Sequence, residues 1–185
     1  MVIRKLYRIE SAHIVKEAIS TRCSRSFHGH SGTIEVFLKS KGLDKARMIY
    51  DFGAMKQTIG EFIDMFDHSI HLSEYNSQEE MDFFIKNNSR WIILPDNPTA
   101  ETYCLLFRDC INEILSKTKF TNGEQGVYCS GVRYHETATG YAESEESDPV
   151  KYKLSQLEFS DGTILEVKSY TLKKLLQEAY YKNDN

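Results

Sequence analysis

Three histidines are spaced to converge on one metal ion. His28 and His30 flank a single glycine in a strand-like stretch, and residues two apart on a strand share a face. His13 closes an earlier strand-like stretch, so a neighbouring strand can supply a third imidazole. Three nitrogen ligands leave one position of a tetrahedral zinc open to water or substrate, whereas structural zinc is closed by four ligands rich in cysteine. Chemistry at such a centre needs proton-transfer groups. Cys23 is tethered five residues before His28, and a nearby cation or metal draws a thiol's pKa toward neutrality, making it a proton acceptor. Asp67-His68 pairs a carboxylate with an imidazole that it can orient for proton transfer. Glu136 offers two acceptor oxygens to a planar pair of donors, such as the amidine-like edge of a heterocycle. Each residue alone has an ordinary structural reading, as a core histidine, a helix-end dipeptide or a strand-end salt bridge. The combination carries the argument.

These groups must be held by a few regular elements. Residues 2–13 read as a strand with Ile3, Tyr7, Ile9, Ser11 and His13 on one face, followed by a polar loop over 14–27. Residues 28–40 read as a second strand, with His28, His30, Ile34, Val36 and Leu38 on one face. From Asp51 the period changes, and Phe52, Met55, Ile59, Phe62, Ile63 and Phe66 mark an amphipathic helix ending before Asp67. Residues 72–98 hold the capping-box pattern Ser77-x-x-Glu80 and a short apolar run from Trp91 to Leu94. A second helix starts at Pro98, with Thr99 as N-cap, Glu101 in the first turn, and Tyr103, Leu106, Phe107, Cys110, Ile111, Ile114 and Leu115 as its buried stripe. Residues 125–137 read as a third strand that puts Val132, Tyr134 and Glu136 on one face. An acidic run, Glu143 to Asp148, reads as a solvated linker. After it, 151–170 suggest a hairpin turning at Asp161-Gly162, and 171–182 a terminal helix. The order indicates an α+β fold, with residues 1–145 as one domain and 146–185 as a C-terminal extension.

Composition excludes several classes. The chain has 185 residues, 41% hydrophobic and 27% charged, enough for one domain with a real core. A net charge of −4 gives no basic field for nucleic acid or an anionic membrane. Neither a signal-peptide core nor a run of roughly 20 apolar residues occurs, so a cytoplasmic location is expected. Cys23, Cys104, Cys110 and Cys129 show no CxxC and are expected as free thiols; all but Cys23 fall inside regular elements.

The arrangement resembles the family of 6-pyruvoyl-tetrahydropterin and 6-carboxy-tetrahydropterin synthases. The matching pieces, in the family's order, are Ser11-Ala12-His13, Cys23-x4-His28-Gly29-His30, Met48-Ile49-Tyr50-Asp51-Phe52-Gly53, Asp67-His68, Asn97-Pro98-Thr99-Ala100-Glu101 and His135-Glu136-Thr137. The resemblance implies the tunnelling fold, a four-stranded antiparallel sheet with two helices on one face, assembled as a homo-hexamer of two trimers with active sites at subunit boundaries. It implies Zn2+ on His13, His28 and His30, Cys23 as proton acceptor, and His68 and Glu136 as relay residues, with Asp67 supporting His68. Glu136, assisted by Thr99 and Glu101, would anchor the pterin ring. The implied reaction is a lyase reaction on 7,8-dihydroneopterin triphosphate. Its product is 6-carboxy-tetrahydropterin with acetaldehyde and triphosphate, toward queuosine and other 7-deazapurines, or alternatively 6-pyruvoyl-tetrahydropterin. A non-catalytic pterin binder on the same fold is the reading from another class. The chain departs from the pattern in a longer segment between His68 and Pro98, in His71-Leu72-Ser73 where the family has Leu-Asn, in Ile9 at a commonly aromatic position, and in the tail.

Overall fold

The computed structural model describes residues 1–160. Its frame is a seven-stranded mixed sheet in the order β6-β5-β2-β1-β3-β4-β7. The strands are β1 (Ile3–His13), β2 (His28–Lys39), β3 (Ser69–Ser73), β4 (Trp91–Leu94), β5 (Tyr128–His135), β6 (Tyr141–Ser144) and β7 (Glu158–Ser160). Four of them, β6-β5-β2-β1, form the expected antiparallel unit. The sheet is nevertheless larger than the four-stranded antiparallel one expected. β3 adds parallel to β1, β4 parallel to β3, and β7 antiparallel to β4. The reason lies in Ser69–Ser73 and Trp91–Leu94, which periodicity did not mark as strands, and in the tail, whose expected hairpin arm from residue 151 is a strand only at Glu158–Ser160 and pairs with β4. Trp91 to Leu94 is a short buried strand, and the tail supplies its outer partner.

Two helical segments cover one face of the sheet. The first starts at Asp51, whose carboxylate caps the amides of Gly53 and Ala54, and runs as α2 (Phe52–Met55), a π-helical turn (Lys56–Gly60) and α3 (Glu61–Asp64). Its predicted stripe is buried except for Phe52, which is 52% exposed at the first turn. The second, α5 (Ala100–Lys117), is capped by Thr99 and buries its whole predicted stripe. Gly32 on β2 serves this packing, since a Cβ there would meet the Tyr134 hydroxyl at 2.5 Å. The segment between β3 and β4 holds α4 (Gln78–Asn87), with the reciprocal Ser77/Glu80 capping box in place.

The acidic run is more than a solvated linker. Glu143 lies in β6 and pairs with Arg133, Glu146 with Lys39, and Asp148 caps the Glu145 amide. Beyond it, Tyr152, Leu154, Leu157 and Phe159 are buried in the same core as the sheet and helices. The chain here is fixed to α5 by the buried pair Arg108–Asp109, whose carboxylate also accepts the amides of Lys151 and Tyr152. The expected turn at Asp161-Gly162 and the helix over 171–182 lie outside the described residues. Among the described residues, no helix is long and apolar enough to cross a membrane.

Candidate active site

The three histidines meet at one end of the sheet because of strand register. His13 on β1 stands directly opposite His28 on β2, and Ser11 opposite His30, so all three rings fall on the helix-covered face. Ring centroids are 4.8 Å apart for His13–His28, 5.1 Å for His13–His30 and 4.9 Å for His28–His30. One ligand nitrogen from each lies within 4.8 Å of the others. Outer contacts orient the rings: Nδ1 of His28 is 2.9 Å from the Ser26 carbonyl, and the Pro98 carbonyl holds His13. Carbonyl partners on the outer nitrogens leave the inner ones as lone-pair donors, the arrangement that orients imidazoles toward a metal.

The hydrogen-bond accounting shows that a metal fits here. Among the described residues, three buried side-chain polar atoms lack a partner, and two are Nε2 of His13 and Nε2 of His30. Buried nitrogens are seldom left orphaned without a water or ion. Burial, then the neighbouring His28 and His30, hold His13 down at about 3, so its ring stays neutral, the form a metal requires. Glu136, just past β5, reaches toward the same point, its Oε1 3.6 Å from His13 Nε2 and 3.9 Å from His30 Nε2.

Beside the triad lies a cavity of about 330 Å³ lined by Cys23, Thr99, Glu101, Glu136 and Tyr141, among others. Five sequence-selected groups thus meet: the triad, Cys23, Glu136, Thr99 and Glu101. Cys23 is half-buried on α1 (Thr21–Ser24), while Cys104, Cys110 and Cys129 are buried. Burial pushes the thiols of Cys104 and Cys129 up to about 12, which leaves them inert at neutral pH.

Asp67 and His68 stand elsewhere in the single chain. His68 has a left-handed backbone (φ 51°) and a side chain 74% exposed. It lines a different cavity from that of Cys23, of about 520 Å³, with Glu10, Ser31, Arg90 and, from the triad, His30. Asp67 accepts the Glu10 amide at 2.7 Å through one oxygen and pairs with Nδ1 of His68 at 2.7 Å through the other. Burial pushes the Asp67 carboxyl up, but the Glu10 amide and then His68 outweigh it, so it lies below its ordinary range. Arg90 backs the pair by donating to the carbonyls of Asp67 and Asp64. Sequence reasoning did not reach the carbonyls of Ser26 and Pro98, because backbone partners leave no residue-type signal. It also did not reach the open-face cluster in which Glu35 accepts from Arg4 and lies 2.7 Å from Nε2 of His135. The alternation along β2 and β5 is the signal that could have found it.

The sequence profile described as 6-pyruvoyl tetrahydropterin synthase matches residues 2–147. The chain belongs to that family. A Helicobacter pylori protein named 6-carboxy-5,6,7,8-tetrahydropterin synthase is 41% identical over 144 residues, covering 78% of this chain and 72% of that protein. A Rickettsia felis protein of the same name is 31% identical over 119 residues, covering 63% of this chain and 80% of that protein. Among solved structures, an uncharacterized protein of Wolinella succinogenes superposes with a TM-score of 0.55 at 18% identity, covering 80% of this chain and 98% of the other. The Caenorhabditis elegans 6-pyruvoyl tetrahydropterin synthase gives 0.53 at 17% identity, covering 80% and 96%. These two likenesses show the family fold. The family match stops at 147, so the strap over 148–160 lies outside it.

Proposed function

We propose that the chain is a zinc-dependent lyase that converts 7,8-dihydroneopterin triphosphate, with one water consumed, to 6-carboxy-5,6,7,8-tetrahydropterin, acetaldehyde and triphosphate. The observation that carries this reading is the pair of orphaned, buried Nε2 atoms facing a third imidazole, beside a pocket that holds one accessible thiol and two carboxylates. Membership of the family and the name of the Helicobacter relative support the enzyme class and the carboxy product. The product fits a place in queuosine and other 7-deazapurine biosynthesis in the cytoplasm.

His13, His28 and His30 would hold the zinc, which when bound supplies Lewis acidity to the substrate's side-chain hydroxyls. The other groups act on the pterin and its protons. Glu136 accepts from the donor edge of the ring, with Thr99 and Glu101 at the same wall, and so fixes the side chain toward the triad. Cys23 takes the proton made acidic beside the ring. His68, oriented by Asp67, returns a proton. In one chain Cys23 and His68 line separate cavities, which supports a homo-hexamer in which the exposed His68 of one copy serves the pocket of another. Product analysis decides the reading: purified protein with dihydroneopterin triphosphate should release acetaldehyde with 6-carboxy-tetrahydropterin. Formation of 6-pyruvoyl-tetrahydropterin without acetaldehyde would replace the product, and no turnover by zinc-loaded protein would favour the non-catalytic binder.

A further inference from the structure

The segment between β3 and α5 grips the loop that carries Cys23 at three points, none of them in the metal centre or the pterin pocket. Glu80 on α4 pairs with Lys16, Oε1 to Nζ 2.5 Å. Phe84, one turn on, lies against Phe27 with ring centroids 3.9 Å apart. Asn97 brackets the Lys16 peptide, accepting its amide at 3.1 Å and donating to its carbonyl at 2.8 Å. The loop then closes on the thiol's own residue, because the Val15 amide donates to the Cys23 carbonyl at 2.9 Å. Little else holds it. α1 spans four residues, buries none of them and has no side-chain cap, and a single helical turn is not stable alone.

α4 is only shallowly seated. It buries none of its residues fully; Met81, Phe84 and Ile85 are half-buried along one side, and Phe84 on that side meets Phe27. Its capping box makes it a helix; its contacts to Lys16 and Phe27 are what it does with that helix. Family resemblance gives no role to this longer segment. We propose that α4 is a brace for the Cys23 loop, with Glu80 and Phe84 as positioning residues that act through Lys16 and Phe27 to keep the thiol at the pocket wall. The proposal rests on the reading of Cys23 as the proton acceptor, and it deepens that reading by naming what holds the thiol in reach.

The thiol itself reports the result. With Cys104, Cys110 and Cys129 buried, iodoacetamide on the native, zinc-loaded full chain reads Cys23 alone. Glu80→Gln removes the charge facing Lys16 while keeping a residue that serves the capping box, and Phe84→Ala removes the ring on Phe27. Both variants should be alkylated several-fold faster at Cys23 without substrate, with unchanged zinc content. In turnover, kcat should fall on the order of tenfold with KM nearly constant, as small misplacements of a reacting group do, and Phe84→Leu should restore most of it. Wild-type alkylation rates in both Glu80→Gln and Phe84→Ala overturn the brace. Should Phe84→Ala fail to fold, Glu80→Gln decides alone. Full activity in Cys23→Ala would instead overturn the thiol's catalytic role, while faster alkylation in the α4 variants would still establish the brace.

Discussion

His13 and His71 stand side by side on parallel strands, on the same face of the same sheet, and both are buried. Burial drives both below the ordinary histidine range, His13 to about 3 and His71 to about 4. Their nitrogens end differently. Nδ1 of His71 faces the Tyr103 hydroxyl at 2.5 Å, and Nε2 lies 3.1 Å from the Phe66 carbonyl and 2.9 Å from the Ser69 hydroxyl. The carbonyl fixes Nε2 as the protonated nitrogen, so Tyr103 donates to Nδ1 and every polar atom of the ring is satisfied. His13 has one satisfied nitrogen and one that faces two other imidazoles with no partner. Residue type, face and burial are shared between the two; unfinished hydrogen bonding is what separates a candidate ligand from a core histidine.

Substitution on each side of this pair should break it unequally. The largest effect belongs to the ligand side: His28→Ala should strip the zinc and reduce turnover to background, whereas His71→Phe should keep about one zinc per chain. Elemental analysis of the two purified variants checks this, and undiminished zinc in His28→Ala would remove the central reading. Cys23→Ala comes next, retaining metal and fold while losing about 10²–10⁴-fold in turnover, the usual contribution of a general acid–base group. Near-normal kcat would make another group the base. Glu136→Gln is smaller. It turns one acceptor into a donor facing a donor and costs about 1.5–3 kcal/mol, roughly ten- to hundredfold in substrate affinity. Because Glu136 also approaches His13 and His30, zinc content in this variant separates ring anchoring from a part in metal binding.

The sequence was most legible where regular periodicity and chemistry coincide. The alternation that put His13, His28 and His30 on one face is a backbone property, and the register of β1 and β2 carries it into the structure. The same holds for Val132 and Tyr134 on β5, with Glu136 just past its end, and for the stripe of α5. Legibility failed where non-local pairing decides. β3 and β4 are five and four residues long, and neither has a turn-linked partner. Each owes its strand state to parallel neighbours far along the chain. Charge alone marks the acidic run as solvated, but its anions find Arg133 and Lys39 on strands that local sequence cannot place beside them. His71 was visible only as a departure from a family pattern. Its partners Tyr103 and Phe66 come from the two helical segments packed against the sheet, so no spacing rule announces it as satisfied.

That satisfied histidine yields the smallest and most specific expectation. In the folded chain the His71 ring is held near pKa 4 by burial, against about 6.5 when unfolded, so on acidification the unfolded chain takes up the proton first. The stability that His71 contributes as a neutral ring is therefore whole above about pH 6.5 and is lost as pH falls toward 4. Between pH 7 and pH 5 the loss is on the order of 2 kcal/mol. His71→Phe removes the titration but leaves the Tyr103 hydroxyl without its acceptor, which costs about 1–3 kcal/mol at neutral pH. Its stability should thus lie below that of the parent at pH 7 and approach it at pH 5. Denaturant unfolding of both metal-free proteins at the two pH values tests this, since burial and the neighbouring His28 and His30, the leading causes of the His13 shift, are common to both. Parallel losses in parent and variant would mean that His71 already carries its proton in the fold. The contrast with His13 would then rest on the metal alone.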